Sequence, residues 1–230
     1  MEDMERRAGK FIVLEGTDGS GKTEQFNRLL LRLPAELKFR SIDFPRYGEP
    51  AAYFIEKYLR GEYGVAVGPK SASLFFALDR FDASAKIEQW LESGKVVISN
   101  RYMASNMGHQ GAKIESAEER GEFFLWLYDL EYEICKIPKP DLNIILRVPA
   151  ETAYELIGKK TGRGYLGGAK RDIHEANLEH LLSAERAYME IAAVFPNDFT
   201  VVECAENGKL LSIDEVHEKV WQIVKKILEV

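Results

Sequence analysis

From Gly16 to Thr23 the chain reads Gly-Thr-Asp-Gly-Ser-Gly-Lys-Thr: a glycine, four residues, then Gly-Lys-Thr. That spacing belongs to a phosphate-binding loop. Glycines let the backbone curl inward so that several N–H groups meet on one phosphate, and the helix that follows adds its positive end. Gly16, Thr17, Asp18, Gly19, Ser20, Gly21, Lys22 and Thr23 are therefore the candidate residues for the polyphosphate of a nucleoside triphosphate. Lys22 is placed to contact the β and γ phosphates, and the Thr23 hydroxyl to ligate Mg²⁺. Two further stretches carry chemistry. Val96 to Ser99 is an apolar run followed by Asn100, Arg101 and Tyr102, a cation and a hydroxyl at the carboxyl end of a strand, where α/β folds bind ligands. Gly158 to Arg171 reads GKKTGRGYLGGAKR, with five glycines and five basic residues in fourteen. It is either a solvated loop or a basic flap that closes over phosphates.

Apolar runs at Phe11–Leu14, Val96–Ser99, Asn143–Leu146 and Phe199–Val202 alternate with helix-period segments. This alternation predicts an α/β fold around a mostly parallel sheet. A fifth run, from Phe39 to Phe44, is broken by Arg40, Ser41 and Asp43 and stopped by Pro45. Near the C-terminus Ser212 and Glu215 form a capping box, and Ile213, Val216, Val220, Ile223 and Ile227 fall on one helical face. Ser116 and Glu119 make a second box ahead of Phe123, Leu127, Leu130 and Ile134, a stripe suited to a core or a subunit interface. Phe124, Trp126 and Tyr128 extend apolar surface beyond it.

The chain has 230 residues, 46% hydrophobic and 30% charged, the balance of an ordinary folded domain with one substantial core. Its formal net charge of -6 gives no general attraction to nucleic acid or anionic lipid, so a bound anion must be held locally. Cys135 and Cys204 show neither metal spacing nor a disulfide framework, which fits a reducing cytoplasm. No signal-peptide core follows the charged start, and no apolar run approaches the roughly 20 residues that cross a bilayer. One domain over residues 1–230, in the cytoplasm, with neither nucleic acid nor membrane as partner, is the expectation.

The sequence resembles the thymidylate kinase family, nucleoside monophosphate kinases that transfer the γ-phosphate of ATP to dTMP. The resemblance is carried by the Gly16–Thr23 loop, Phe44-Pro45-Arg46-Tyr47-Gly48, and Leu78-Asp79-Arg80 with Phe75 and Phe76 before it. Asn100-Arg101-Tyr102 through Ser105-Asn106, and Pro138-Lys139-Pro140-Asp141, complete it. It implies a three-layer P-loop fold with a parallel sheet of about five strands and a short lid near 158–171. It further implies that Phe76 stacks on thymine and Arg80 reads a base carbonyl; the bland reading of Phe76 is core packing, which Phe75, Leu78 and Phe81 are expected to serve. Ser105 and Asn106 match positions beside the base, with Asn106 equally a helix cap. Phe44, Arg46 and Tyr47 match the segment lining the nucleotide, and Arg101 with the Tyr47 hydroxyl its phosphate contacts. Asp18 resembles a carboxylate near acceptor phosphate and metal. Gly19 and Ser20 leave the loop uncharged, so the lid supplies cations from among Lys159, Lys160, Arg163, Lys170 and Arg171, with Arg163 and Arg171 placed at the transferring phosphoryl group. Asp172 and Glu175 resemble acids near sugar and metal, or are simply helix-start acids.

Two positions depart from the family pattern. Asn100 stands where Asp is typical and loses one negative charge near the metal. His109 stands where an aromatic is common beside the sugar, as does His174. These changes leave open a different acceptor, or a metal site rebuilt from Asp18, Thr23 and Glu175. The expected activity is Mg²⁺-dependent transfer from ATP to dTMP by a homodimer; the alternatives are a related nucleoside or nucleotide kinase, or a nucleotide-binding module without turnover.

Overall fold

The computed structural model describes residues 8–64, 67–158 and 178–230. The lid positions Lys159, Lys160, Arg163, Lys170 and Arg171, together with Asp172, His174 and Glu175, lie outside the described residues.

Five parallel strands form one sheet in the order β2-β3-β1-β4-β5. They are β1 (Phe11–Glu15), β2 (Phe39–Asp43), β3 (Val96–Asn100), β4 (Leu142–Arg147) and β5 (Phe199–Glu203). β1 and β3 are buried along their whole length, as strands covered on both faces by helices must be. β2 is one of the two edge strands and stays half-exposed, which is why it tolerates Arg40, Ser41 and Asp43 where a central strand would not.

Side chains alternate across the sheet. Phe11 and Val13 of β1 join a core with helices α3 (Pro69–Glu92), α4 (Met103–Gly111), α5 (Ala117–Tyr128) and α7 (Leu178–Val194). Ile12 and Leu14 join a second core with α1 (Lys22–Arg32) and α8 (Ile213–Leu228). The result is three layers, helix, sheet and helix. Two shorter helices pack on other helices, α2 (Tyr53–Leu59) on α3 and α6 (Ala150–Gly158) on α7, and a small hairpin of β6 (Ala205–Glu206) and β7 (Lys209–Leu210) precedes α8.

The box at Ser212 and Glu215 caps α8 as expected, with both reciprocal bonds made. The buried row is Val216, Val220 and Val224, flanked by partly buried Ile223 and Ile227, whereas Ile213 is half-exposed. At α5 the Ser116 hydroxyl accepts from the Glu119 N–H at 3.4 Å. The stripe beyond it departs from α-helical expectation. Residues Asp129–Ile134 form a π-helical turn, in which the Cys135 N–H reaches back five residues to the Leu130 carbonyl. The wider turn rotates the face. Phe123 and Leu127 are buried, but Ile134 is 67% exposed, and Glu131 and Tyr132 take the inside positions.

Helix α3 corrects a second expectation. Leu78 and Phe81 do not serve the core; they are 54% and 51% exposed, while Asp79 and Arg80 are almost completely buried. The apolar burial of α3 falls instead on Ala72, Ala77, Ala83, Ile87 and Leu91. The inward charges are tolerable because each has a matched partner: Asp79 pairs with Arg46 and Arg80 with Glu131.

A phosphate loop facing a polar nucleotide cleft

The loop leaves β1 at Glu15 and enters α1 at Lys22. Gly16 and Gly19 hold positive φ angles of 136° and 83°, and a Cβ there would meet the carbonyl oxygens of Leu146 at 2.5 Å and Ala153 at 2.4 Å. Only glycine fits both the turn and the close approach to β4 and α6. Lys22 Nζ donates to the Thr17 carbonyl at 2.6 Å and lies 3.4 Å from Ser20 Oγ, so the cation is held across the loop.

One cavity of about 680 Å³ takes its lining from Asp18 through Gln25, from Asp43, Phe44, Pro45 and Tyr47, and from Phe76, Arg80, Asn100, Arg101, Ser105, Asn106, His109 and Gln110. The structure thus brings nearly all the described candidate residues to one space. Gly16 and Thr17 form the back of the loop. Arg46 is outside the lining: its guanidinium donates to Asp79 Oδ1 at 2.8 Å and Asp82 Oδ2 at 2.5 Å, and its N–H to Asp79 Oδ2 at 2.9 Å. Arg46 therefore pins the Phe44–Tyr47 segment onto α3. Phe76 is half-buried, edge-on to Tyr58 with ring centroids 6.1 Å apart.

Arg101 adopts a left-handed backbone, φ 67°, a strained conformation for a residue with a side chain. Its environment enforces it. The Arg101 N–H donates to the Leu14 carbonyl at 2.9 Å, its own carbonyl accepts from Ser99 Oγ at 2.7 Å, and its guanidinium pairs with Asp18 and donates to Ser105 Oγ at 3.1 Å. Burial works against the Arg101 charge, yet Asp18 and other neighbours hold its pKa above the ordinary value. Beneath this pair lies Glu15, fully buried. Its Oε1 accepts from the Tyr102 N–H at 2.7 Å and the Ser105 N–H at 3.1 Å, and Oε2 accepts from Ser105 Oγ at 2.6 Å and the Tyr188 hydroxyl at 3.3 Å. A carboxylate thus sits at the N-terminus of α4, where the helix dipole favours it.

Around the far end of the cleft, two amides are oriented by their neighbours. Asn106 is a mid-helix residue rather than a cap; its Nδ2 donates to the Ser73 carbonyl at 3.1 Å, which directs Oδ1 the other way. Lys113 donates to the Tyr58 hydroxyl, that hydroxyl donates to Gln110 Oε1 at 3.2 Å, and Nε2 is the amide atom left over. Asn106 Oδ1 and Gln110 Nε2 are buried and have no hydrogen-bond partner among the described residues. Arg80 is gripped by Glu131 through two bonds of 2.6 and 2.5 Å, and its Nη1 lies 3.4 Å from the Tyr102 carbonyl.

Glu15, Asp43, Tyr58, Gln110 and Glu131 escaped the sequence reading. Two left a trace in it: an acidic residue closing an apolar strand, and an amide one helical turn beyond Asn106. Among the described residues, no group of three or more His, Cys, Asp or Glu is arranged to hold a metal by itself.

The family model for thymidylate kinase matches residues 14–220. A thymidylate kinase of Mycobacterium tuberculosis is 33% identical over 186 residues, covering 79% of this chain and 85% of the relative. One from Rhodopseudomonas palustris is 32% identical over 225 residues, covering 96% and 90%. The chain belongs to the thymidylate kinase family. It is a nucleoside monophosphate kinase with ATP as phosphate donor, and the reaction of the family is transfer to dTMP. The solved structure of a thymidylate kinase from Candida albicans, 24% identical, superposes with a TM-score of 0.72 over 95% of this chain and 92% of that one, which shows the shared fold. No helix among the described residues is long and apolar enough to cross a membrane.

Two predictions follow from these burials. Burial pushes the His109 pKa down to about 3, with Arg101 adding to the effect and Asp18 opposing it, and burial together with Lys113 pushes His180 to about 4. Both imidazoles are then neutral in the folded chain, while the unfolded chain protonates below its ordinary value of 6.5. Stability is unaffected above that pH and falls below it, by up to about 1.4 kcal/mol per pH unit for each group. Urea denaturation at pH 7.5 and pH 5 measures the loss, and replacing both histidines by Gln flattens the slope. Separately, Glu131→Ala strands the buried Arg80 charge and destabilises the fold by about 3–5 kcal/mol, readable in the same denaturation experiment.

Proposed function

We propose that the cleft seats dTMP with its phosphate at Arg101 and its pyrimidine at Phe76, Arg80, Asn106 and Gln110, in line with ATP on the phosphate loop. The observation that carries this reading is the fixed polarity of the two buried amides. Asn106 Oδ1 can only accept, and it suits the N3–H of thymine; Arg80 and the Gln110 Nε2 can only donate, and they suit carbonyl oxygens. Cytosine reverses this pattern, with an acceptor at N3 and a donor at C4, and would leave buried groups facing like partners. A site built to hydrogen-bond one edge rejects the reversed edge strongly. Phe76 offers the ring face for stacking. His109, held neutral beside Arg101, contributes a flat edge next to the sugar without adding charge.

At the reacting centre the phosphate loop amides and Lys22 hold the donor, and Arg101 with the Tyr47 hydroxyl orients the acceptor dianion. The donor set fits Mg²⁺: Thr23 and Asp18 line the cavity, and a cation that keeps most of its waters needs no closed protein cage; Glu175 is proposed as a further carboxylate. Mg²⁺ would neutralise charge on the β and γ oxygens during transfer. Arg163 and Arg171 are proposed to close over the same phosphates.

We also propose a homodimer. Leu74, Leu78 and Phe81, spaced by one turn each along α3, are all more than two-fifths exposed, and such an apolar row on a folded domain is typical of an interface. The same helix carries Phe76 and Arg80 on its other side, so pairing would brace the base pocket.

An acceptor panel tests the first reading. ADP release with dTMP exceeds that with dCMP or dGMP at least about a hundredfold in kcat/KM; equal rates would refute it. For the second, Leu78→Glu converts a dimer to a monomer in sedimentation equilibrium, and an unchanged mass refutes the proposed face.

A further inference from the structure

The parallel register sets Asp43, the last residue of β2, beside Asn100, the last residue of β3. Asn100 Nδ2 donates to Asp43 Oδ1 at 3.0 Å. Both residues line the cavity with Lys22, Thr23 and Asp18; burial raises the Asp43 pKa above its ordinary value, and the Asn100 amide with the charges of Arg101 and Lys22 acts against that rise. Asn100 is 96% buried by its 4% exposure, and its Oδ1 has no hydrogen-bond partner among the described residues. A buried carbonyl oxygen without a donor costs about 1–3 kcal/mol. A water in the cavity that donates to Oδ1 would remove that cost. The orientation of the amide is not arbitrary, because a carboxylate can only accept, so Nδ2 must face Asp43 and Oδ1 must face away.

We propose that Asp43 and Asn100 act together as an outer acceptor set for the hydrated Mg²⁺ of the nucleotide. Asp43 supplies the negative charge, held in place by the Asn100 amide, and Asn100 Oδ1 takes a hydrogen bond from a metal-bound water. The charge absent from Asn100 is thereby restored one strand away. This inference rests on the reading of the loop as the site of the metal-bound nucleotide. It does not depend on the identity of the acceptor.

The test is direct binding rather than turnover. Mn²⁺ affinity of the full chain, saturated with a non-hydrolysable imido analogue of ATP, is measured by electron paramagnetic resonance, alongside analogue affinity without metal. Asp43→Asn weakens Mn²⁺ binding about 10- to 100-fold and does not weaken metal-free analogue binding. The double variant Asp43→Asn with Asn100→Asp, which moves the carboxylate across the register, recovers most of that loss. Asp43→Ser provides a second single variant, and circular dichroism checks that each is folded. Wild-type Mn²⁺ affinity in a folded Asp43 variant would overturn the proposal. So would an equal loss of metal-free and metal-bound nucleotide, since that marks a structural role. A wild-type chain that binds Mn²⁺ and analogue but prefers another acceptor refutes the dTMP assignment and leaves this measurement intact.

Discussion

Glu15 has no access to water, and four hydrogen-bond donors converge on its carboxylate. It is the last residue of β1, immediately before the phosphate loop, yet its partners lie at the start of α4 and on α7. Through it the donor loop and the acceptor cleft are built on one rigid seam. Unpairing such a group would leave a buried charge, so the turn that carries Arg101 has little freedom to drift relative to Lys22. Phosphoryl transfer asks for in-line placement more than for covalent chemistry. A buried carboxylate at this junction is one way to secure that placement.

Charge in this protein is arranged in two tiers. Arg46 is spent on architecture, fixing the Phe44–Tyr47 segment to α3, and Arg80 is anchored by Glu131, which ties α3 to the π-helical turn while the guanidinium still lines the cavity. Arg101 and Lys22 face the cavity and are poised against Asp18 and the loop carbonyls. A chain of net charge -6 can hold polyanions because these cations are concentrated in a low-dielectric cleft. The neutral histidines keep that balance constant across physiological pH.

The π-helical turn ties fold to site. By carrying one extra residue per turn it brings Glu131 inward, under Arg80, and turns Ile134 out. The α-helical stripe read from Phe123, Leu127, Leu130 and Ile134 is correct for its first half and fails where the period changes. Likewise, Leu78 and Phe81 look like core residues by composition, and only the matched pairs made by Asp79 and Arg80 explain why the charged residues went inside.

The sequence alone determined whatever depends on neighbours along the chain. The glycine loop, the five strand runs, the α8 capping box and the order of the nucleotide-lining segments are all legible there, because backbone reach and side-chain periodicity act over a few residues. Tertiary structure decided which distant groups meet. Asn100 finds Asp43 across 57 positions, Arg80 finds Glu131 across 51, and Glu15 finds Tyr102 across 87. Sheet register and helix packing set those pairings, and with them the direction in which each buried amide and carboxylate points. Hydrogen-bond polarity in a dry cleft is a property of the assembled fold rather than of any local stretch of residues.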